Sequence, residues 1–122
     1  MEWKFREDLP IYSQMVEGMT RAIVSGAFAP GDRLPAVREL ALDAGVNPNT
    51  VQRALSELER SGLVYSQRTA GRVVTEDRAV IARAREQMAQ GKIDAFLSEM
   101  DGLGFTREQV VDLLSAQPKK EN

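Results

Sequence analysis

Two glycines punctuate residues 36–62 and leave this stretch few ways to fold. Ala36 to Ala44 carries Val37, Leu40 and Ala41 at three- and four-residue steps, with Pro35 opening the segment and Gly45 closing it. After Val46, Asn47 has the short acceptor side chain of an N-cap, and Pro48 occupies the first helical position. Val51, Ala54, Leu55 and Leu58 then form the apolar face of a second helix, which Gly62 stops. Two helices joined by a tight glycine turn make a helix-turn-helix.

The flanks extend that pattern. Pro10 opens an earlier helix reaching about Ser25, with Asp8 just ahead of it and Ile11, Met15, Met19, Ala22 and Ile23 as its apolar stripe. Gly26 ends it, and Phe28 to Gly31 reads as a turn. Beyond Gly62, Leu63 to Ser66 and Arg72 to Thr75 read as two strands joined by Gln67 to Gly71, a hairpin packed beside the helices as a wing.

From Asp77 the pattern is helical again, with Val80, Ile81, Ala84 and Met88 as one stripe and Ile93, Phe96, Leu97 and Met100 as the next. Gln90-Gly91 weakens the helix between them by roughly 1 kcal/mol relative to alanine. Leu103-Gly104-Phe105 turns the chain. Thr106 with Gln109 forms a capping box for a last helix carrying Val110, Val111, Leu113 and Leu114, and residues 118–122 read as a frayed tail. The expected fold is mostly α with a small β wing (α+β). It has a winged helix-turn-helix domain over residues 1–75 and a two-helix dimerisation segment over residues 76–122.

Composition narrows the function. The 122 residues contain no cysteine and no histidine, which argues against a disulfide framework, the usual zinc sites and His-dependent nucleophilic catalysis. The reading is of a protein that is not an enzyme and carries no cofactor and no metal. Apolar runs are too short to span a bilayer, and the first residues are charged, unlike a signal peptide, so no membrane partner is expected and the location is cytoplasmic. The net charge of −2 is unpromising for a nucleic-acid binder, but its distribution matters more. Residues 45–75 hold four arginines against Glu57 and Glu59.

Residues 10–74 resemble the DNA-binding domain of GntR-type regulators. The resemblance lies in Pro10-Ile11-Tyr12-Ser13-Gln14, in the run from Pro30-Gly31-Asp32-Arg33-Leu34-Pro35 through Ala41, in the run from Val46-Asn47-Pro48-Asn49-Thr50 through Leu55, in Leu58-Glu59 with Gly62-Leu63-Val64, and in Gly71-Arg72-Val73-Val74. The short C-terminal segment resembles the YtrA-like branch, which has two helices in place of a ligand-binding domain. The resemblance implies that Arg38 contacts DNA beside the recognition helix. It implies that Asn47, Asn49, Thr50, Gln52 and Arg53 face the major groove or its phosphates. It also implies that the wing tip, including Arg68, Thr69 and Gly71, touches the minor groove. Thr69 departs from the glycine usual at its position, which bears on the geometry of the wing tip.

Physical chemistry supports these roles independently. Asn49, Gln52 and Arg53 share a helical face away from much of the Val51, Leu55 and Leu58 stripe. Amide side chains pair with adenine, and arginine suits guanine or phosphate. Each residue also has a plainer reading. Asn47 is a helix cap whatever else it does, Arg38 could pair with Glu39 or Asp43, Arg60 fits a solvated charge, and Trp3 with Phe5 fits packing. The segment beyond residue 75 is too short to bury both stripes on itself. Val80, Ile81, Ala84, Met88, Phe96, Leu97 and Met100 are therefore expected to join two copies. The reading is a repressor that binds a palindromic double-stranded DNA operator as a homodimer, with no effector identifiable. The alternative is a winged-helix protein-interaction module.

Overall fold

The computed structural model describes residues 2–119. Its elements are α1 (Ile11–Val24), α2 (Val37–Ala44), α3 (Pro48–Arg60), β1 (Val64–Gln67), β2 (Gly71–Val74), α4 (Arg78–Gly102) and α5 (Arg107–Ala116). It is mostly helical with one small antiparallel sheet, as expected. Two compact units divide it between Arg85 and Glu86.

The first unit closes around one core. Met15, Met19 and Ile23 come from α1, Leu40 and Ala41 from α2, and Val51, Ala54, Leu55 and Leu58 from α3. α1 and α2 both pack on α3. Each large aliphatic side chain fully enclosed this way contributes roughly 1.5–3 kcal/mol. Ile11 belongs to the α1 stripe by spacing but is exposed, because that stripe runs past the edge of the core at the start of the helix. Between α2 and α3, Gly45 turns the chain at φ 67° and ψ 37°, a left-handed conformation that a Cβ would disfavour.

β1 and β2 pair antiparallel, Val64 opposite Val74 and Gln67 opposite Gly71. A third short segment, not anticipated from the sequence, joins them. Arg33 bridges Val73. The Gly31 N–H donates to the Val74 carbonyl (2.9 Å), the Val74 N–H to the Asp32 carbonyl (2.8 Å) and the Leu34 N–H to the Arg72 carbonyl (2.8 Å). A lone two-stranded ribbon is marginal in water, so this extra pairing supports the wing and covers one of its edges. Three residues beside a Pro-Gly turn are too few to show a strand period.

The leading segment is also tied down. Trp3 and Phe5 stack with ring centroids 5.5 Å apart and pack against the core. The Gln14 amide clamps Arg6, accepting from its N–H (2.7 Å) and donating to its carbonyl (2.8 Å). At the other end, Val80, Ile81 and Ala84 are partly buried against this same core. Their contact with the core adds to the role expected for them between two copies, and the compact unit extends ten residues past the expected boundary at residue 75, to Arg85. Val80 lies beside Gly62, its Cγ1 3.7 Å from where a Cβ on that glycine would stand, and Ile81 lines a cleft with Ile23, Val24 and Pro30, so the first turns of α4 cover this side of the core.

The second unit holds the remainder of α4 and all of α5. Gly91 lies inside α4 without ending it. The Phe105 N–H donates to the Met100 carbonyl (3.0 Å) as the chain turns. The capping box then starts α5, with the Gln109 N–H on Thr106 Oγ1 (3.2 Å) and the Thr106 N–H on Gln109 Oε1 (2.8 Å). Val110 is buried, while Val111, Leu113 and Leu114 are exposed. Of the expected tail, residues 120–122 lie outside the described residues.

Candidate nucleic-acid interface

The exposed side of α3 carries the polar residues that its apolar stripe leaves over. Asn49, Gln52 and Arg53 are exposed and Thr50 is half-buried. Their three- and four-residue spacing places them on one face. Asn47 caps the helix, its Oδ1 accepting from the Asn49 N–H at 2.7 Å. The cap holds the oxygen and leaves the amide nitrogen as a donor. Asn49, Thr50 and Arg53 meet Pro10, Ile11 and Tyr12 around an open cleft of about 470 Å³. Both helices begin at this cleft. Asn47 takes up the first N–H groups of α3, whereas α1 has no side-chain cap, and the start of such a helix favours an anion. Arg53 lies over the Tyr12 ring, its guanidinium carbon 3.7 Å from the centroid. No spacing in the sequence announces this contact, because the two residues belong to different helices.

Arg38 stands exposed on α2 and does not line that cleft. Arg68 and Thr69 are exposed in the turn between β1 and β2, ahead of Gly71 at φ 73°. Among the described residues every positive φ belongs to a glycine, so Thr69 adopts an ordinary backbone conformation. The three-residue loop needs left-handed freedom only at Gly71, and the wing closes without a glycine at position 69. Behind the wing a second cleft of about 270 Å³ lies between residues 33–37 and residues 66 and 70–72.

Charge on this surface is selective. Arg60 pairs with Glu57 at 3.0 Å. Arg72 Nε donates to Glu59 Oε1 at 2.6 Å, and the Ser66 hydroxyl donates to the same oxygen at 3.0 Å. Glu59 thereby straps the end of α3 to both strands of the wing, a role the sequence did not disclose. Those two pairs absorb half of the arginine charge in residues 45–75 and leave Arg53 and Arg68 for a partner.

The Arg72 hydrogen bond holds the Glu59 carboxyl below its usual range, outweighing burial, with help from Ser66. A depressed carboxylate contributes stability above the unfolded-state pKa and loses it as pH falls through the folded value. Glu59→Gln should therefore melt below the unsubstituted chain at neutral pH, with the gap narrowing as the pH drops below about 4. Parallel melting curves across that range would show that the strap carries no charge-dependent stability.

No helix among the described residues is long and apolar enough to cross a membrane. The sequence profile described as bacterial regulatory proteins, gntR family, matches residues 11–74. The HTH-type transcriptional repressor YtrA of Bacillus subtilis (strain 168) is 38% identical over 98 residues, covering 80% of this chain and 71% of that protein. A GntR family transcriptional regulator from Listeria monocytogenes superposes with a TM-score of 0.84 and 37% identity, over 93% of this chain and all of that one. The DNA-binding domain of AraR in complex with operator ORX1 superposes with a TM-score of 0.53 and 30% identity, over 62% of this chain and 92% of that one.

Proposed function

Because this chain belongs to the gntR family of bacterial regulatory proteins and is a DNA-binding transcriptional regulator, we propose that it represses transcription by occupying a palindromic operator as a homodimer. The observation that carries the reading is the exposed face of Asn49, Gln52 and Arg53 at the start of α3, set beside a glycine-hinged wing. A recognition helix enters the major groove by its N-terminal turns, and these are the residues found there. Arg38 flanks that helix, Thr50 and Asn47 sit at its first turn, and Arg68, Thr69 and Gly71 reach the minor groove. The AraR domain, whose fold this chain shares, is described bound to its operator, which supports the same use of the surface here. A regulator of this kind works in the cytoplasm, where the chromosome is.

The second unit supports dimerisation. Ile93, Phe96, Leu103, Phe105, Val111, Leu113 and Leu114 are all exposed within 22 residues, and Met88, Leu97 and Met100 are only half-buried. A lone chain gains nothing from showing water so much apolar surface, and a second copy covers it. A two-fold dimer then requires two inverted half-sites.

The roles of the α3 side chains separate in a binding assay. Gln52→Ala should lower discrimination between operator and scrambled duplex by about 1–3 kcal/mol if the amide reads a base. Arg53→Ala should weaken both duplexes alike and reduce the salt slope by about one, as a phosphate contact does. Anisotropy titrations at several salt concentrations give both quantities. Unchanged affinity in both variants would remove α3 from the DNA interface.

A further inference from the structure

We infer that Tyr12 is a positioning residue for DNA binding: its ring holds the Arg53 guanidinium over the cleft between the starts of α1 and α3, where Arg53 grips a backbone phosphate. The inference rests on the DNA-binding reading above.

The first support is geometric. Arg53 reaches across from α3 to lie 3.7 Å from the centre of a ring that belongs to α1. A cation at that distance over an aromatic face is held by the ring's quadrupole. The second support is the state of the charge. Arg60 and Arg72 spend theirs on Glu57 and Glu59, whereas no ion pair among the described residues engages Arg53, and its side chain is exposed. Tyr12 itself is half-buried, so the ring is a fixed platform under a free cation.

The chemistry of the guanidinium chooses the ligand. With its central carbon over the ring, the Arg53 guanidinium still carries its fork of N–H donors, and that planar fork matches two oxygens of a phosphate. The contact places Arg53 at the α1 side of this face, on a cleft that Gln52 does not line. Asn49 and Thr50 complete the cleft wall with polar groups. A free arginine must give up many rotamers to make such a contact. One already placed loses fewer, and the saving corresponds to about threefold to tenfold in affinity.

The test uses the full chain and a duplex selected from a random pool, with a random duplex beside it. Tyr12→Leu should weaken binding about threefold to tenfold on both duplexes, while Tyr12→Phe, which keeps the ring, should stay within about twofold of the unsubstituted chain. Arg53→Met should weaken binding further, and adding Tyr12→Leu to it should cost nothing more. In NMR, the Arg53 Nε–Hε resonance should carry a ring-current shift in the unsubstituted chain and in Tyr12→Phe, and lose it in Tyr12→Leu. An unshifted resonance in the unsubstituted chain overturns the inference without any variant. So does a Tyr12→Leu loss of the same size in the Arg53→Met background, which would make Tyr12 an independent contact. A Tyr12→Phe chain as weak as Tyr12→Leu would assign the effect to the hydroxyl and also overturn it. If Arg53→Met binds normally, the DNA-contact role of Arg53 fails first, and the inference with it.

Discussion

Phe96→Glu is expected to turn the protein into a folded monomer that binds a whole operator about a hundredfold or more weakly than the unsubstituted chain. Phe96 is 40% exposed in the single chain, so a carboxylate there costs the monomer little. In the proposed dimer the same carboxylate would be buried without a partner, which is costly. Once the copies separate, the second half-site contact is no longer intramolecular, and the avidity it supplied, about 10²–10⁴, is lost. A chain ending at Arg85 should behave the same way. One ending at residue 75 should not be stable, because Val80, Ile81 and Ala84 cover the core of the first unit. Light scattering together with titrations on whole and half operators reads both effects. A Phe96→Glu chain that stays dimeric would place the interface elsewhere.

Leu58→Ala is expected to cost the first unit about 2–5 kcal/mol, a large part of the 5–15 kcal/mol that holds a typical domain folded. Leu58 is 1% exposed, and its carbonyl accepts the Leu63 N–H at 3.1 Å as the chain leaves α3 for the wing. Truncating it opens a cavity where α3 is anchored. The melting temperature should fall by on the order of 10 °C or more. Leu114→Ala, made in the Phe96→Glu monomer, should leave the melt nearly unchanged, since Leu114 is 58% exposed. Circular-dichroism melts of the two variants test the contrast. Equal losses would mean that the second unit buries Leu114 in solution without a partner.

Much of this was legible in the sequence because the signals are local. Gly45 and Asn47 bracket the turn between α2 and α3, and the Thr106–Gln109 capping box marks the start of α5 within four residues. Apolar spacing identified the buried face of α3 residue by residue. What escaped was tertiary. The bridge at Arg33 is defined by hydrogen bonds to Val73 and its neighbours, not by any pattern of its own. Val80, Ile81 and Ala84 have the spacing of an interface stripe, and periodicity cannot tell an intramolecular partner from a second copy. The Tyr12–Arg53 stack and the Glu59–Arg72 strap each join distant segments. Arginine counting along the chain therefore overstated the charge left for DNA.

The central claim is that two copies of the α3-and-wing surface read DNA together. Selection of binding sites from a random duplex pool by the full-length chain tests it most directly. The account predicts enrichment of one short motif in two inverted copies at a fixed separation, with the Phe96→Glu chain enriching at most a single copy. A pool that returns unenriched, or the same single unpaired motif with both proteins, would contradict it.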